Sequence, residues 1–456
     1  MVSLGCPKNR IDSEVILGLL GDRGYSLIEN AAWADIIIIN TCTFIQSATD
    51  ESIETILEYA AYKTTGNCRL LVVAGCLTQR YQEELKEELP EVDLFVGTGE
   101  YQRIAALIVE SGEKGQIVAT GIPEYIHDYT TPRVSTTPFY SSYIKIAEGC
   151  SNPCTFCIIP QLRGAFRSRS EDSIFNEVKA LAEKGVKEFN LVAQDTTAYG
   201  RDLDRPTTLK NLLTQLVKID DLEWIRLLYC YPTLMNDELI ELIAAEDKIV
   251  KYIDMPLQHV DDTILKAMKR GTREKMIKGL LQRIKKSLPD VTLRSAFIVG
   301  FPGETEKEFE NLLAFIEETR FDHLGVFKYS QEEGTPAGAM ENQVKEELKE
   351  ERYNRIMEVQ QAISLERNRE HVGKRVRVLV EGLSEETDLL LQGRATFQAP
   401  EIDGITYINA GQADVGDIKD VLITEAHPYD LVGEIIEEDE SISADEHAID
   451  ECHIRP

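Results

Sequence analysis

The sequence predicts an α/β multidomain protein with three parts: a Rossmann-like parallel α/β domain, a partial (βα)6 barrel of the TIM type, and a small C-terminal antiparallel β-barrel. Short apolar runs alternate with amphipathic stretches over residues 1–125, and the alternation resumes over residues 139–371. Residues 372–436 carry short strand-like segments between glycine and aspartate turns. Alternating strands and helices predict parallel sheets, whereas short strands between turns are typical of a small barrel.

Residues 1–125 supply the first parallel sheet. Apolar runs that predict buried strands alternate here with amphipathic stretches that predict covering helices. The predicted strands are 1–4, 36–39, 70–74 and 94–96, and the predicted helices are 11–23, 48–62 and 80–89. Residues 126–138 lack apolar periodicity and contain Pro132 and Pro138, which predicts a linker.

Six βα units follow the linker, and six in succession predict an incomplete barrel. Their strands are predicted at 143–147, 188–193, 224–229, 252–255, 292–299 and 324–329, and their helices at 171–184, 207–219, 236–246, 273–287 and 305–319. A long charged helix at 344–371 closes this domain. The C-terminal strands are predicted at 375–380, 389–392, 406–409 and 419–426. The acidic tail at 437–456 predicts disorder.

Charge and cysteine content narrow the class of protein. The 456 residues carry a net charge of −30, which repels nucleic-acid phosphates unless a local basic patch intervenes. The negative electrostatic field of such a chain favours a basic protein partner over a nucleic acid. An acidic surface can also serve solubility alone. The first ten residues lack the pattern of a secretory signal, and no apolar run has the length of a membrane span. Nine cysteines are too few for a disulfide scaffold, so we expect a reducing, cytoplasmic setting and cysteines that bind metal or act in catalysis.

Cys150, Cys154 and Cys157 form a Cys-x-x-x-Cys-x-x-Cys motif, in which three thiolates can surround one metal centre. A four-iron cluster is ordinarily held by four cysteines. Three cysteines leave one iron open to a small ligand, as direct electron transfer into a bound molecule requires. Phe156, inside the motif, is expected to shield the cluster from water. A zinc site is the alternative, but zinc takes four ligands and no further cysteine or histidine lies nearby.

Cys6, Cys42 and Cys76 are far apart in sequence but share a position. Each lies one to three residues beyond the end of a predicted parallel strand. The carboxyl ends of such strands share one edge of the sheet, where open α/β sheets bind ligands, so we expect the three thiols to meet. The alternative is that they are small apolar residues of the core. The remaining cysteines, Cys68, Cys230 and Cys452, have no comparable placement and are interpreted as bystanders.

Three further motifs follow predicted barrel strands, whose carboxyl ends carry the active sites of such barrels. Gly300 and Gly303 lie in a strand-to-helix turn whose exposed backbone is predicted to hydrogen-bond an adenine. Gln194 and Asp195 are predicted to hold the amino group of a bound amino-acid moiety, although a solvated loop is the alternative. Arg294, on the strand before Gly300, is predicted to face a carboxylate.

The Cys150–Cys157 motif and the Gly-Phe-Pro-Gly-Glu-Thr string at 300–305 together resemble the radical S-adenosylmethionine (SAM) superfamily. The three upstream cysteines make the chain similar to the methylthiotransferases of that superfamily. The resemblance covers nearly the whole chain and implies a methylthiotransferase domain, a radical SAM domain and a C-terminal TRAM domain. It implies SAM and two 4Fe-4S clusters, one held by Cys150, Cys154 and Cys157 and an auxiliary one held by Cys6, Cys42 and Cys76.

The detailed strings resemble the RimO-type enzymes, which modify a ribosomal protein, more than the MiaB-type enzymes, which modify tRNA. Residues 3–9 read Ser-Leu-Gly-Cys-Pro-Lys-Asn, where the tRNA enzymes tend to have Cys-Gln-Met-Asn. Residues 194–200 read Gln-Asp-Thr-Thr-Ala-Tyr-Gly rather than Gln-Asn-Val-Asn, and Met-Pro-Leu-Gln-His at 255–259 also matches. The resemblance implies transfer of a methylthio group to the β-carbon of an aspartate in the small-subunit ribosomal protein S-twelve.

The charge of the C-terminal segment bears on the partner. Residues 372–456 hold six lysines and arginines against twenty aspartates and glutamates, whereas an RNA-binding barrel should carry a basic face. The expected partners are therefore ribosomal protein S-twelve or the small ribosomal subunit, with direct tRNA binding less favoured, and a reducing protein such as flavodoxin or ferredoxin. Two hypotheses remain beside this one: a tRNA adenosine methylthiotransferase, which a basic groove would favour, and a non-catalytic iron–sulfur or zinc protein, which predicts no SAM cleavage.

Overall fold

The computed structural model describes residues 1–436, and these form two compact units, Met1–Arg367 and a second that begins at Asn368. The first unit contains both of the predicted parallel sheets. The predicted disordered tail at 437–456, with Cys452, lies outside the described residues. In the part of the chain that the structure describes, every helix is too short or too polar to cross a membrane.

Five parallel strands, hydrogen-bonded in chain order, form the first sheet. The strands are β1 (Val2–Ser3), β2 (Ile36–Thr41), β3 (Leu70–Gly75), β4 (Leu94–Val96) and β5 (Ile117–Ala119), and the helices are α1 (Pro7–Gly21), α2 (Gln46–Ala60), α3 (Tyr62–Thr65), α4 (Cys76–Tyr81), α5 (Leu85–Glu88) and α6 (Ile104–Lys114). Leu70, Val72 and Ala74 pack in one hydrophobic cluster and Leu71 and Val73 in another. Because side chains alternate along a strand, both faces of the sheet are covered.

A second sheet of six parallel strands forms an open, partial barrel. Its strands are β6 (Ser141–Lys145), β9 (Glu188–Val192), β10 (Trp224–Leu227), β11 (Ile249–Asp254), β12 (Thr292–Val299) and β13 (His323–Lys328), and β7 (Ala147–Glu148) and β8 (Arg167–Ser168) form a separate antiparallel pair. The helices are α7 (Ile159–Arg163), α8 (Glu171–Ala182), α9 (Leu209–Leu216), α10 (Asp237–Ala245), α11 (Asp262–Ala267), α12 (Glu274–Ser287), α13 (Glu306–Thr319) and α14 (Glu346–Arg369).

The second unit is a closed five-stranded barrel. Its strands are β14 (Arg375–Leu383), β15 (Leu391–Ala395), β16 (Thr406–Ala410), β17 (Ile418–Ala426) and β18 (Leu431–Ile435). All neighbouring strands are antiparallel except β16 and β18, which pair in parallel. Closure leaves no free sheet edge, and Val378, Val380 and Ile408 fill the interior.

The predicted fold class is confirmed, and the differences are local. The helix predicted at 80–89 is broken, because Gln82 has a φ of +49°, and α4 begins earlier, at Cys76. Strand β10 ends at Leu227 rather than at Tyr229, which has a φ of +61°. Strands β5 and β18 were not predicted, since three to five residues are too few to give a clear periodicity.

Candidate active site: two cysteine triads

Cys6, Cys42 and Cys76, called here the sheet triad, lie at one edge of the first sheet. Cys6 is the residue before α1, Cys42 follows the last residue of β2, and Cys76 follows the last residue of β3. Since β1, β2 and β3 are adjacent and parallel, the three cysteines are neighbours. A methyl group on Gly5 would lie only 3.1 Å from the Cys42 sulfur, which measures how closely the chain around Cys6 approaches Cys42.

The thiols of the sheet triad also affect one another electrostatically. Burial raises the pKa of Cys42 to about 12, and the nearby Cys76 and Cys6 add to the rise. Burial likewise raises the pKa of Cys76, with Cys6 contributing in the same direction. These thiols therefore need a positive centre, such as iron, to become thiolates at neutral pH.

Cys150, Cys154 and Cys157, called here the loop triad, lie in the turn between β7 and α7. Gly149 begins the turn with a φ of +76°, and a methyl group on it would lie 2.2 Å from the Ala165 carbonyl oxygen, so only glycine fits. The Cys150 amide donates to the Gly164 carbonyl over 3.1 Å and fixes the start of the loop. Burial raises the pKa of Cys157 to about 12, and Cys154 and Cys150 add to the rise.

The six cysteines of the two triads are available as sulfur donors. All six cysteines are free of disulfides, and within each triad thiols lie close enough to affect one another's pKa. Among residues 1–436, no three cysteine, histidine or acidic side chains converge on a point as the ligands of one metal ion do. Iron–sulfur ligation by these cysteines stays a prediction. Cys68 and Cys230 lie elsewhere, in the cores of the first sheet and of the barrel.

Each triad has an arginine beside one of its sulfurs. The Arg270 guanidinium lies 3.7 Å from the Cys154 sulfur and also donates to the Pro256 carbonyl. The Arg163 guanidinium lies 3.5 Å from the Cys76 sulfur, although Arg163 belongs to α7, directly after the loop triad. A guanidinium close to a sulfur favours the negative thiolate.

A buried network of charges connects the first sheet to the barrel around Arg163. Its guanidinium donates to Asp12 over 2.6 Å and to Glu148 over 3.2 Å. Lys145 pairs with the same two carboxylates, and with Glu148 over 2.7 Å. Burial opposes ionisation of Glu148, but Lys145 and Arg163 outweigh it and hold the pKa of this carboxyl well below its usual value. The network joins α1, which follows Cys6, to the strand that precedes Cys150.

Gln194, Asp195 and Arg294 all lie beyond or on barrel strands as predicted, but each has a partner within the chain. Gln194 donates to Glu148 over 2.7 Å. Asp195 accepts from the Asn152 side chain, in the loop triad, over 2.9 Å. Arg294 donates to Asp254 over 2.9 Å. Binding of an amino group or carboxylate by these side chains stays a prediction.

The aromatic and glycine positions are also defined. Phe156 packs with Phe301 and other apolar residues beside the loop triad. Gly300 has a φ of +71°, and its amide donates to Glu304 over 2.9 Å. The Gly303 amide donates to the Asn342 carbonyl over 2.9 Å. Neither amide is free to bind an adenine in this conformation, so adenine recognition at this turn stays a prediction.

The sequence interpretation did not single out Glu148, Arg163 or Arg270. The positions of two of them next to the loop triad could have identified them. Glu148 comes just before the Gly149-Cys150 pair, and Arg163 ends the short helix after Cys157. Arg270 lies more than a hundred residues from Cys154 in sequence, and only the fold brings it there.

A partial parallel barrel with a three-cysteine loop at the start of its first βα unit defines the radical SAM class of enzymes. Residues 144–316 match the radical SAM superfamily. Residues 1–97 match a family described as uncharacterized protein family UPF0004, and residues 372–436 match the TRAM domain.

Relatives that match nearly the whole chain identify the family more specifically than the three domain matches do. The chain is 54% identical to a ribosomal protein uS12 methylthiotransferase RimO of Syntrophotalea carbinolica, over 96% of each chain. It is 53% identical to the enzyme of the same name from Geobacter sulfurreducens, and the match covers 96% of this chain and 98% of the relative. It is 50% identical to that of Myxococcus xanthus, and the match covers 100% of this chain and 95% of the relative. The chain belongs to the RimO family of methylthiotransferases, and it is a transferase of the radical SAM class.

A solved structure supports the fold alone. A radical SAM methyltransferase, TsrM, from Kitasatospora setae superposes with a TM-score of 0.55 at 15% identity. The match covers 73% of this chain and 72% of that one.

Proposed function

We propose that this chain transfers a methylthio group to the β-carbon of an aspartate in ribosomal protein uS12, called S-twelve above. The observation that carries the proposal is the pair of cysteine triads within one compact unit, connected through Arg163. One triad follows β7, directly after the first barrel strand, and the other follows three strands of the first sheet. A methylthio transfer needs a radical that removes hydrogen from the substrate carbon and a source of the sulfur that replaces it. Two adjacent cluster sites suit these two needs. The names of the relatives support uS12 as the substrate.

The cofactors that we propose are two 4Fe-4S clusters and SAM. Cys150, Cys154 and Cys157 would hold one cluster, and Cys6, Cys42 and Cys76 the other. When bound, these groups supply the radical chemistry that removes hydrogen from the substrate carbon, and the sulfur and methyl group that replace it.

The chain's own residues position the two triads and compensate their charge. Arg270 and Arg163 each place a guanidinium beside one thiolate. Glu148 accepts from Gln194 and from the Gly149 amide, which fixes the approach to the loop triad. Asp195 holds Asn152 within that loop. The positions of Phe156, Gln194, Asp195, Gly300 and Gly303 in loops beyond the barrel strands, and of Arg294 on β12, support a role in binding SAM.

The C-terminal barrel supports a basic protein partner over RNA. Residues 372–436 contain five lysines and arginines against twelve aspartates and glutamates, so the barrel is acidic even without the tail. An acidic surface attracts a basic ribosomal protein and repels the tRNA backbone. A ribosomal substrate and thiols that must stay reduced support a cytoplasmic reaction. A reducing protein such as flavodoxin or ferredoxin would provide the electrons.

An anaerobic reconstitution tests the proposal. The full chain, loaded with iron and sulfide, receives SAM and a reductant, with uS12 and bulk tRNA offered in parallel reactions. Mass spectrometry should find one added methylthio group on a uS12 aspartate and none on tRNA. Omission of SAM, and a chain with Cys154→Ala, provide the controls.

Two results would contradict the proposal. Modification of tRNA alone would favour the MiaB-type reaction and would mean that charge and motif both misled us. Formation of 5′-deoxyadenosine with neither substrate modified would leave the radical SAM class intact and require a different substrate.

A further inference from the structure

Lys8 extends from the edge of the first sheet to the barrel. It is the second residue of α1 and follows Cys6 by two positions, yet its side chain reaches the barrel. Its ammonium lies 3.1 Å from the centre of the Tyr229 ring, beyond the end of β10. Lys8 is only 7% exposed. A residue of the first sheet's edge thus contributes a cation at the carboxyl end of the barrel, where such barrels carry their active sites.

Within residues 1–436, this buried ammonium has no directly bound anion, although Cys6, Asp254 and Glu148 lie near enough to act on its charge. Among residues 1–436, the Lys8 nitrogen forms no ion pair and no hydrogen bond, and its contact is with the face of the Tyr229 ring. The neighbouring buried cations differ: Lys145 and Arg163 share Asp12 and Glu148. A buried charge is ordinarily paired, and an ammonium has three donors to offer. Lys8 therefore has unused capacity to bind an anion.

The ring beneath Lys8 is held in an unusual conformation. Tyr229 has a φ of +61°, which a bulky residue other than glycine rarely adopts. Its amide donates to Asp254 over 2.8 Å, and Asp254 in turn accepts from Arg294. Arg294 pairs directly with Asp254, so this carboxylate acts on Lys8 only from a distance. Strained residues of this kind cluster at ligand-binding positions, where the surrounding structure fixes them.

We propose that Lys8 binds the side-chain carboxylate of the substrate aspartate and thereby selects an acidic amino-acid side chain. The proposal rests on the function proposed above and adds a specificity-determining residue to it. A carboxylate seated on Lys8 would lie next to Cys6 on one side and to the barrel's carboxyl edge on the other. The carbon beside that carboxylate would then be held where the first sheet meets the barrel, the two elements whose loops carry the triads.

A double-mutant cycle tests this role. The enzyme is the full, cluster-loaded chain, either wild type or Lys8→Met, which keeps the length of the side chain but removes its charge. The ligand is full-length, fluorescently labelled uS12, with either aspartate or asparagine at the position that mass spectrometry identifies as modified. Anaerobic fluorescence anisotropy measures the dissociation constants.

Wild type should bind the aspartate form about tenfold or more tightly than the asparagine form, as a charge-assisted hydrogen bond predicts. Lys8→Met should lose this preference, and Lys8→Arg, which keeps the charge, should retain most of it. Lys179→Met provides the matched control, because Lys179 is an exposed helical residue far from either triad in sequence. It should leave the preference unchanged.

Iron content and the visible absorption of both clusters are measured for every variant. If Lys8→Met preserves both but still prefers aspartate by the wild-type ratio, the proposal is wrong. If Lys8→Met loses iron, Lys8 serves the sheet triad's cluster and the proposal is also wrong. If the wild-type enzyme modifies uS12 but binds the aspartate and asparagine forms equally, the role of Lys8 is wrong while the proposed function stands. Wild-type enzyme that leaves uS12 unmodified overturns the proposed function, and the role of Lys8 with it.

Discussion

The loop triad and the sheet triad differ in how much of the fold each one needs. Residues 150–157 carry all three cysteines of the loop triad, and the local turn that starts at Gly149 brings them together. The sheet triad draws its cysteines from three segments, and the parallel registers of β1, β2 and β3 align them. A local motif tolerates change elsewhere in the protein, whereas an assembled site depends on every strand that contributes to it. Arg163 connects the two, since it follows the first and touches the second.

Removing one cysteine from each triad should separate their roles and give the largest effect. Cys154→Ala should abolish both SAM cleavage and methylthio transfer. Cys42→Ala should keep SAM cleavage but abolish transfer. Each variant should lose about four of about eight irons per chain. Iron analysis, 5′-deoxyadenosine and the modified product are the measurements. Cys68→Ala, in the core of the first sheet, is the control that should keep all three. Retained transfer in Cys42→Ala would contradict the division of roles.

Replacing Arg163 should weaken the connection between the triads. Arg163→Gln leaves Asp12 and Glu148 buried with less positive charge, and breaking such a buried network costs about 3 kcal/mol or more of unfolding free energy. Urea unfolding of the cluster-free chain measures this loss. Arg320→Gln, which breaks an exposed ion pair with Glu366, should change stability by less than about 1 kcal/mol. Equal effects of the two substitutions would mean that the buried network is not a structural connection.

A methyl group at Gly149 should damage the loop triad selectively. Gly149→Ala forces a left-handed residue against the Ala165 carbonyl, at a cost of about 1–3 kcal/mol. We expect iron loss from the loop triad and loss of SAM cleavage, with the sheet triad's cluster retained in the electron paramagnetic resonance spectrum. Gly279→Ala, in α12 with open space around it, is the matched control. Loss of both clusters would show that the loop triad is less local than its sequence indicates.

The smallest expected effect concerns the arginine beside the loop triad. Arg270→Gln removes a positive charge 3.7 Å from the Cys154 sulfur, so the cluster held there should become harder to reduce. A redox titration followed by electron paramagnetic resonance should find a lower reduction potential for that cluster and an unchanged potential for the other. Arg273→Gln, whose guanidinium donates only to nearby carbonyls in the described structure, is the control.

The loop triad could be predicted from sequence because its information is local. Spacing alone brings Cys150, Cys154 and Cys157 to one turn. The sheet triad was predictable to a lesser degree, since Cys6, Cys42 and Cys76 each follow an apolar run, and parallel strands share an edge. The strand and helix alternation likewise predicted the fold class, because the periods of two and 3.6 residues are properties of the backbone.

The partners of the polar site residues were not predictable. Arg294 donates to Asp254, and the amides of Gly300 and Gly303 donate to groups within the chain, none of which the sequence indicated. Arg270 reaches Cys154 across more than a hundred residues of sequence. Such pairings depend on how two sheets pack, which no single segment encodes.

By itself, the sequence determined the order of the domains and the parallel character of the two sheets, and it singled out six cysteines as candidate ligands, since each follows from a short-range pattern. Only the tertiary structure decided that α1 docks beside the barrel and places Lys8 over Tyr229 and Asp12 against Arg163. The physical reason is that buried charges must find partners from whatever elements the packing brings near them, and that choice belongs to the whole first unit.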